Sequence, residues 1–142
     1  MNIQVVYGAP SAENYVSLRL RSGMGNKELK RSEIALKNSL FIVALYDEEK
    51  LIGFGRVVGD GGITYVVSDI MVDKNYQRRG LAEQIMKAID GYFEENAHED
   101  SYICLIANHP ADILYNKHKF EYLPENKYGM LRNQNNDNKK IK

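Results

Sequence analysis

Gln77-Arg78-Arg79-Gly80-Leu81-Ala82 is the stretch on which the reading of the fold depends. It stands between an apolar strand-like run, Tyr65 to Val72, and an amphipathic helix-like run, Leu81 to Phe93. In the second run Leu81, Ile85, Ile89, Tyr92 and Phe93 form one stripe at helical spacing. A strand entering a glycine-bearing turn that opens a helix leaves several backbone N–H groups without helical partners, aimed at one point. The helix dipole adds positive potential there. With two arginines flanking the turn, the stretch predicts a phosphate or diphosphate site. The G-x-x-x-x-G-K-[ST] spacing of a triphosphate loop is absent.

Outward from this turn, Ile3 to Tyr7 reads as a first strand. Pro10-Ser11 opens a helix with Tyr15, Leu18 and Leu20 on its apolar side, closed by Gly23 and Gly25. Lys27 to Lys37 reads as a second helix with Leu29, Ile34 and Leu36 apolar. Ser39 to Tyr46, Leu51 to Val58 and Thr64 to Val72 read as strands, separated by the polar turn Asp47 to Lys50 and by Gly59-Asp60-Gly61-Gly62, a hairpin signal. After the helix, which reaches Asn96, Tyr102 to Ala107 is a short buried strand. Pro110 suits the first turn of a last helix in which Ala111, Leu114, Tyr115 and His118 share a face. Phe120 to Leu123 and Tyr128 to Leu131 read as two closing strands. The order β, α, α, β, β, β, α, β, α, β, β predicts an antiparallel meander followed by a βαβ crossover to a parallel strand. Ligands favour the crevice at the carboxyl ends of such parallel strands.

The chain has 142 residues, with Lys+Arg and Asp+Glu equal at 19 each. That length fits one domain, expected over 1–132, able to bury roughly two-thirds of its unfolded surface. The Asn/Lys-rich stretch 133–142 is expected to be a disordered tail. Balanced charge argues against a nucleic-acid or membrane partner. The single cysteine, Cys104, reads as an inert buried thiol. It cannot form an intrachain disulfide, and no secretory signal is visible, so a cytoplasmic location is expected. His98, His109 and His118 lack metal-ligand spacing; they read as surface or turn residues, and no metal is expected.

Three ordered patterns then point to a family. Asp69-Ile70-Met71-Val72 followed by Gln77 to Ala82 resembles a Q/R-x-x-G-x-G/A cofactor loop. Asn108, Ala111, Leu114 and Tyr115 are spaced as in N-x-x-A-x-x-L/F-Y. Lys117 and Phe120 follow where relatives read Y-x-K-x-G-F. From about Phe41 to Leu131 the chain resembles the GNAT superfamily of N-acetyltransferases. Ala82 stands for the commoner glycine, and Lys119 for a glycine at a helix end, where a left-handed cap is less favourable.

The resemblance implies a GNAT-like α/β fold: a mixed, mostly antiparallel sheet of six to seven strands flanked by about four helices. It implies acetyl transfer from acetyl-CoA to a primary amine, of a small molecule in the first reading. A protein or peptide acceptor, or a CoA-binding module without turnover, are the alternatives. The resemblance places the pantetheine arm along the backbone of Ile70, Met71 and Val72. It places the diphosphate on Gln77, Arg78, Arg79, Gly80, Leu81, Ala82 and Glu83, and hydrogen bonds to the cofactor arm at Asn108. Tyr115 would meet the cofactor sulfur and assist thiolate departure. Asp69 is the candidate base, on the expectation that partial desolvation raises its pKa; ordered water against backbone carbonyls is the alternative. Tyr122 and Tyr128 face the acceptor or pack. Relatives pair through closing strands, so the Tyr-rich end is a candidate homodimer contact. Glu13, Arg19, Arg21, Glu28 and Glu33 show no dominant sign along the chain, so acceptor charge is left open.

Overall fold

Residues Phe41 to Tyr46 form an unbroken apolar run, the pattern of a strand covered on both faces. The computed structural model, which describes residues 2–134, shows why. A five-stranded sheet lies between two helical layers. The elements are β1 (Ile3–Val6), α1 (Ala12–Ser22), α2 (Leu29–Lys37), β2 (Phe41–Asp47), β3 (Lys50–Gly59), β4 (Thr64–Val72), a 3-10 turn (Lys74–Tyr76), α3 (Leu81–Asn96), β5 (Tyr102–Cys104) and α4 (Asp112–Asn116). The strands lie in chain order. Strands β1 to β4 pair antiparallel, and β4 pairs β5 in parallel through Thr64↔Tyr102, Tyr65↔Ile103 and Val66↔Cys104. Among the described residues no helix is long and apolar enough to cross a membrane.

The two faces of the sheet carry separate cores. Val43, Leu45, Val57, Tyr65 and Val67 pack against Leu81, Ile85, Met86 and Ile89 of α3. Ile42, Ala44, Leu51, Phe54 and Met71 pack against Tyr15, Val16 and Leu18 of α1 and Leu36 of α2. Each large apolar side chain so covered contributes about 1.5–3 kcal/mol relative to exposure. Ser11 caps α1 by accepting from Asn14 N at 3.0 Å, and Gly23 ends it with φ 88°. Leu20, Leu29 and Ile34, expected on apolar sides, are exposed instead.

Helix α3 sits close to β3 because Gly55 presents no side chain to it. A Cβ at Gly55 would stand 2.6 Å from Ile85 Cγ2 and 2.7 Å from Ile70 Cδ1. Gly55→Val is therefore expected to destabilise the protein by about 1–3 kcal/mol through overpacking. Chemical denaturation checks this; a midpoint equal to wild type would show that α3 has room to move.

Two expectations are corrected. Among the described residues the sheet has five strands, not six to seven. Phe120–Leu123 and Tyr128–Leu131 form no ladder; Tyr122, Leu123, Tyr128, Met130 and Leu131 are exposed. An apolar pattern needs a neighbouring edge to become a strand, and β5 stops at Cys104, three residues short of the expected Ala107, which leaves little edge to extend. Lys119 adopts left-handed backbone, φ 73°, in place of the glycine that such a helix end favours. Of the expected tail 133–142, residues 135–142 lie outside the described residues.

Candidate active site

Aspartate is uncommon inside a strand, and in β4 it marks an irregularity. Between the pairs Phe54↔Met71 and Arg56↔Ser68, two residues of β4, Asp69 and Ile70, oppose Gly55 alone. This is a β-bulge, with Asp69 in the left-handed region at φ 59°, a conformation Asp tolerates better than most residues. The bulge shifts the alternation of the strand. Tyr65 and Val67 face α3, whereas Met71 beyond the bulge packs in the α1 core. Asp69 is thereby brought to Tyr15 and Arg19 of α1.

Strand β5 pairs β4 only as far as Val66. Beyond that point β5 ends, and among the described residues the edge from Val67 to Val72 has no strand partner on that side. The gap opens into two adjoining clefts. The first, of about 510 Å³, is lined by Ile70, Met71, Val72, Gln77, Arg78, Gly80, Leu81, Ala82 and Glu83, and is closed by Tyr115 and Lys117. The second, of about 500 Å³, is lined by Ser68, Asp69 and Ile70 on β4 and by Asn108, His109 and Tyr115. Tyr115 and Ile70 belong to both.

The phosphate loop has the form the glycine turn predicts. Gly80 is the N-cap of α3 with φ 78°, and no side chain caps the helix. The N–H groups of Leu81, Ala82 and Glu83 therefore face outward from the first turn. A Cβ at Gly80 would meet nothing within 4 Å, so the space above the helix end is open. Arg78 is also left-handed, φ 66°, and Gln77 Nε2 donates to Val72 O at 3.2 Å, tying the loop back to β4. Ahead of it, Asp73 caps the 3-10 turn through Asn75 N at 2.8 Å and pairs with Arg21 of α1. Arg79 does not line the cleft with its side chain; its guanidinium lies over Tyr76, 5.1 Å from the ring centre.

Asp69 differs from expectation. Its carboxylate accepts from Tyr15 Oη at 2.5 Å, Arg19 Nη1 at 3.0 Å and Arg56 Nε at 2.7 Å. Burial alone would raise its pKa, but the Tyr15 hydrogen bond and the two guanidinium groups outweigh burial and hold it below the usual carboxylate range. It is a satisfied anion, not a base tuned upward. Arg19 donates further to Gly25 O and Met24 O, both at 2.9 Å, and so fixes the α1–α2 loop.

Tyr115 has a buried ring, and its hydroxyl makes no hydrogen bond among the described residues; it opens on the clefts. Burial pushes its pKa up, which keeps it a proton donor. Asn108 lines the second cleft rather than the first, and its carbonyl accepts from Ala111 N at 2.7 Å. His118, expected at a surface or turn, is buried between Asp90 and Glu83 of α3. Burial would lower its pKa, yet the two carboxylates prevail and raise it. The imidazole thus ties the turn after α4 to α3, through Asp90 and through Glu83 at the edge of the first cleft. The sequence carries a signal for this, His118 on the apolar face of its helix, that the absence of metal spacing obscured.

A family model described as an acetyltransferase (GNAT) domain matches residues 37–122, from the last residue of α2 past the end of α4. The chain belongs to the GNAT superfamily of N-acetyltransferases. The matched region holds the lining of the first cleft, that of the second apart from Met24, and every site residue from Asp69 to Tyr115. Among solved structures, a protein of unknown function from methicillin-resistant Staphylococcus aureus, described as "Probable Acetyltransferase", superposes with a TM-score of 0.88 at 40% identity, covering 93% of this chain and 99% of that one. A GNAT family acetyltransferase from Streptococcus pneumoniae gives a TM-score of 0.77 at 27% identity, over 94% of this chain and 100% of its own. An uncharacterized N-acetyltransferase, ycf52, from Pyropia yezoensis is 30% identical over 77% of this chain. The chain spans 64% of that protein's length.

Proposed function

We propose that this GNAT protein transfers an acetyl group from acetyl-CoA to a primary amine of a small molecule, by direct attack with both substrates bound. The observation that carries the reading is the uncapped start of α3 at the carboxyl end of a splayed strand, with the open hydroxyl of Tyr115 where the two clefts meet. The first cleft suits a long chain ending in a diphosphate. Leu81, Ala82 and Glu83 offer N–H groups to the anion, Arg78 adds charge, and the unpaired edge of Ile70, Met71 and Val72 accepts an extended amide arm as an added strand would.

When bound, acetyl-CoA supplies an acyl carbon activated by a thiol leaving group. The amine nitrogen forms a bond to that carbon as the carbon–sulfur bond breaks, and a backbone N–H near Val72 polarises the carbonyl. Tyr115 Oη gives its proton to the departing sulfur and takes one back from water in the open cleft before the next turnover. A free alkyl amine at neutral pH needs about 4–5 kcal/mol to reach its neutral form. In this reading Asp69, already committed to Tyr15, Arg19 and Arg56, positions the acceptor side. The amine's proton leaves to water at the mouth of the second cleft.

Thiol release from acetyl-CoA over a panel of small amines, aminoglycosides, polyamines and peptides tests the reading. Turnover of a small amine is expected; saturable cofactor binding with no thiol released by any amine would leave a binding module. Gly80→Glu is expected to raise KM for acetyl-CoA about tenfold or more by setting a carboxylate where the diphosphate belongs. Gly80→Ala carries the same backbone strain without the charge. Equal KM values in the two variants would show that strain, not charge, is responsible.

A further inference from the structure

Sharing Ser68 and Asp69 with the second cleft, a third cavity of about 340 Å³ lies between α1, α2 and the bulge of β4. Its wall holds four cations, Arg19, Lys27, Arg31 and Arg56, against one carboxylate, that of Asp69. Asp69 is already matched by Arg19 and Arg56, and Tyr15 donates to it as well. Lys27 makes no ion pair among the described residues. Arg31 pairs with Glu28 at 2.6 Å, but both side chains are more than half exposed, so that pair is worth little and is easily exchanged. Arg56 spends Nε on Asp69 and Nη1 on Ser39 Oγ, and Nη2 donates to none of the described residues. The cavity therefore has an uncompensated positive lining.

The placement is built rather than incidental. Arg19, 6% exposed, holds the carbonyls of Met24 and Gly25 and so sets the path of the loop that presents Lys27. Ser32, 3% exposed, turns its hydroxyl back to Glu28 O and fixes the inner face of α2 beside Arg31. Ser68 and Asp69 line this cavity and also the second cleft, so a small molecule occupying the cavity can reach past them toward Ile70 and Tyr115. The volume is at the low end for a small-molecule site, enough for a compact group and a short carrier.

We infer that the acceptor amine carries a compact anionic group, a carboxylate or a phosphate, held between Lys27, Arg31 and Arg56. This rests on the acetyl-transfer reading above and names its substrate class. The same charges serve the chemistry, because cations near an amine disfavour its protonated form. Along the chain the acidic residues Glu13 and Glu33 mask the excess, since both are exposed and neither lines the cavity.

Matched pairs of amines test the inference: β-alanine against β-alaninamide for a carboxylate, and O-phosphoethanolamine against ethanolamine for a phosphate. In wild type the anionic member of at least one pair is expected to show about tenfold higher kcat/KM, the worth of one charge-assisted hydrogen bond. The pair that responds identifies the anion. The double variant Lys27→Glu, Arg31→Glu, altering two exposed side chains, is expected to shrink that ratio at least about tenfold. A ratio near one for both pairs in wild type, or a ratio unmoved in the double variant, overturns the inference. The same four amines are tested by thermal shift without acetyl-CoA. If none releases thiol but the anionic members still raise Tm in wild type and not in the double variant, acetyl transfer fails while the anion site stands. If they neither release thiol nor raise Tm, the anion site fails.

Discussion

Tyr115→Phe is expected to lower kcat for thiol release by about a hundredfold, while KM for acetyl-CoA stays close to wild type. The estimate takes the low end of the 10²–10⁴-fold range for a positioned proton donor, because a thiolate with a pKa of about 8.5 leaves tolerably well unaided. The substitution removes one oxygen from a ring that packs with the α3 core and stands edge-on to Phe120, 6.4 Å between centres. No protein hydrogen bond is lost, since the hydroxyl has no partner among the described residues, so stability should hold. The pH profile separates donation from mere packing. Burial raises the Tyr115 pKa above its ordinary value near 10, so the donor form persists through neutral pH. Any loss of wild-type rate from its ionisation falls above that value, and the phenylalanine variant has no such limb. An unchanged kcat would remove Tyr115 from the chemistry.

What the chain reveals of itself depends on the range of the interaction. The β4 strand and the helix α3 fall within a residue of the sequence reading, because a β-rich run, a glycine turn and a 3.6-residue stripe are local signals. The parallel β5 follows from the same locality, since a helix of this length returns the chain to the sheet's edge. The bulge is legible only in part: Gly53 and Gly55 inside β3 mark a bulge or a close backbone approach, but that the extra residue falls at Asp69-Ile70 depends on how β4 pairs with β3. The closing strands fail for a related reason, as Phe120 to Leu131 has the composition of strands but β5, the edge it would extend, is only three residues long. At the site, the loop from Gln77 to Glu83 is legible because one segment builds it. The Asp69 cluster joins Tyr15, Arg19 and Arg56 from 54, 50 and 13 residues away, and a carboxylate's pKa follows its neighbours. The expected upward shift failed on that account.

Asp69→Asn is expected to cost about 3 kcal/mol of folding stability, the low end of the range for removing one partner of a buried ion pair. The low end applies because the amide oxygen can still accept one hydrogen bond and the native side chain is 11% exposed. What remains is two guanidinium groups, also largely buried, facing each other without a counter-charge. The pH dependence identifies the charge as the cause. The folded pKa of Asp69 is depressed, so its stabilisation is complete above the unfolded value of about 3.9 and fades as pH falls through the lower folded value. The gap between wild type and variant, followed by urea denaturation, should therefore be constant near neutrality and close below about pH 4. A gap that persisted undiminished in acid would mean that the asparagine distorts the bulge instead. Activity draws the remaining distinction. If Asp69 were the base, its loss would abolish the acidic limb of the kcat profile. As an anchor for Arg19 and Arg56 it should leave that limb in place and chiefly raise KM for the acceptor, because the loop bearing Lys27 depends on Arg19 and Arg19 depends on Asp69.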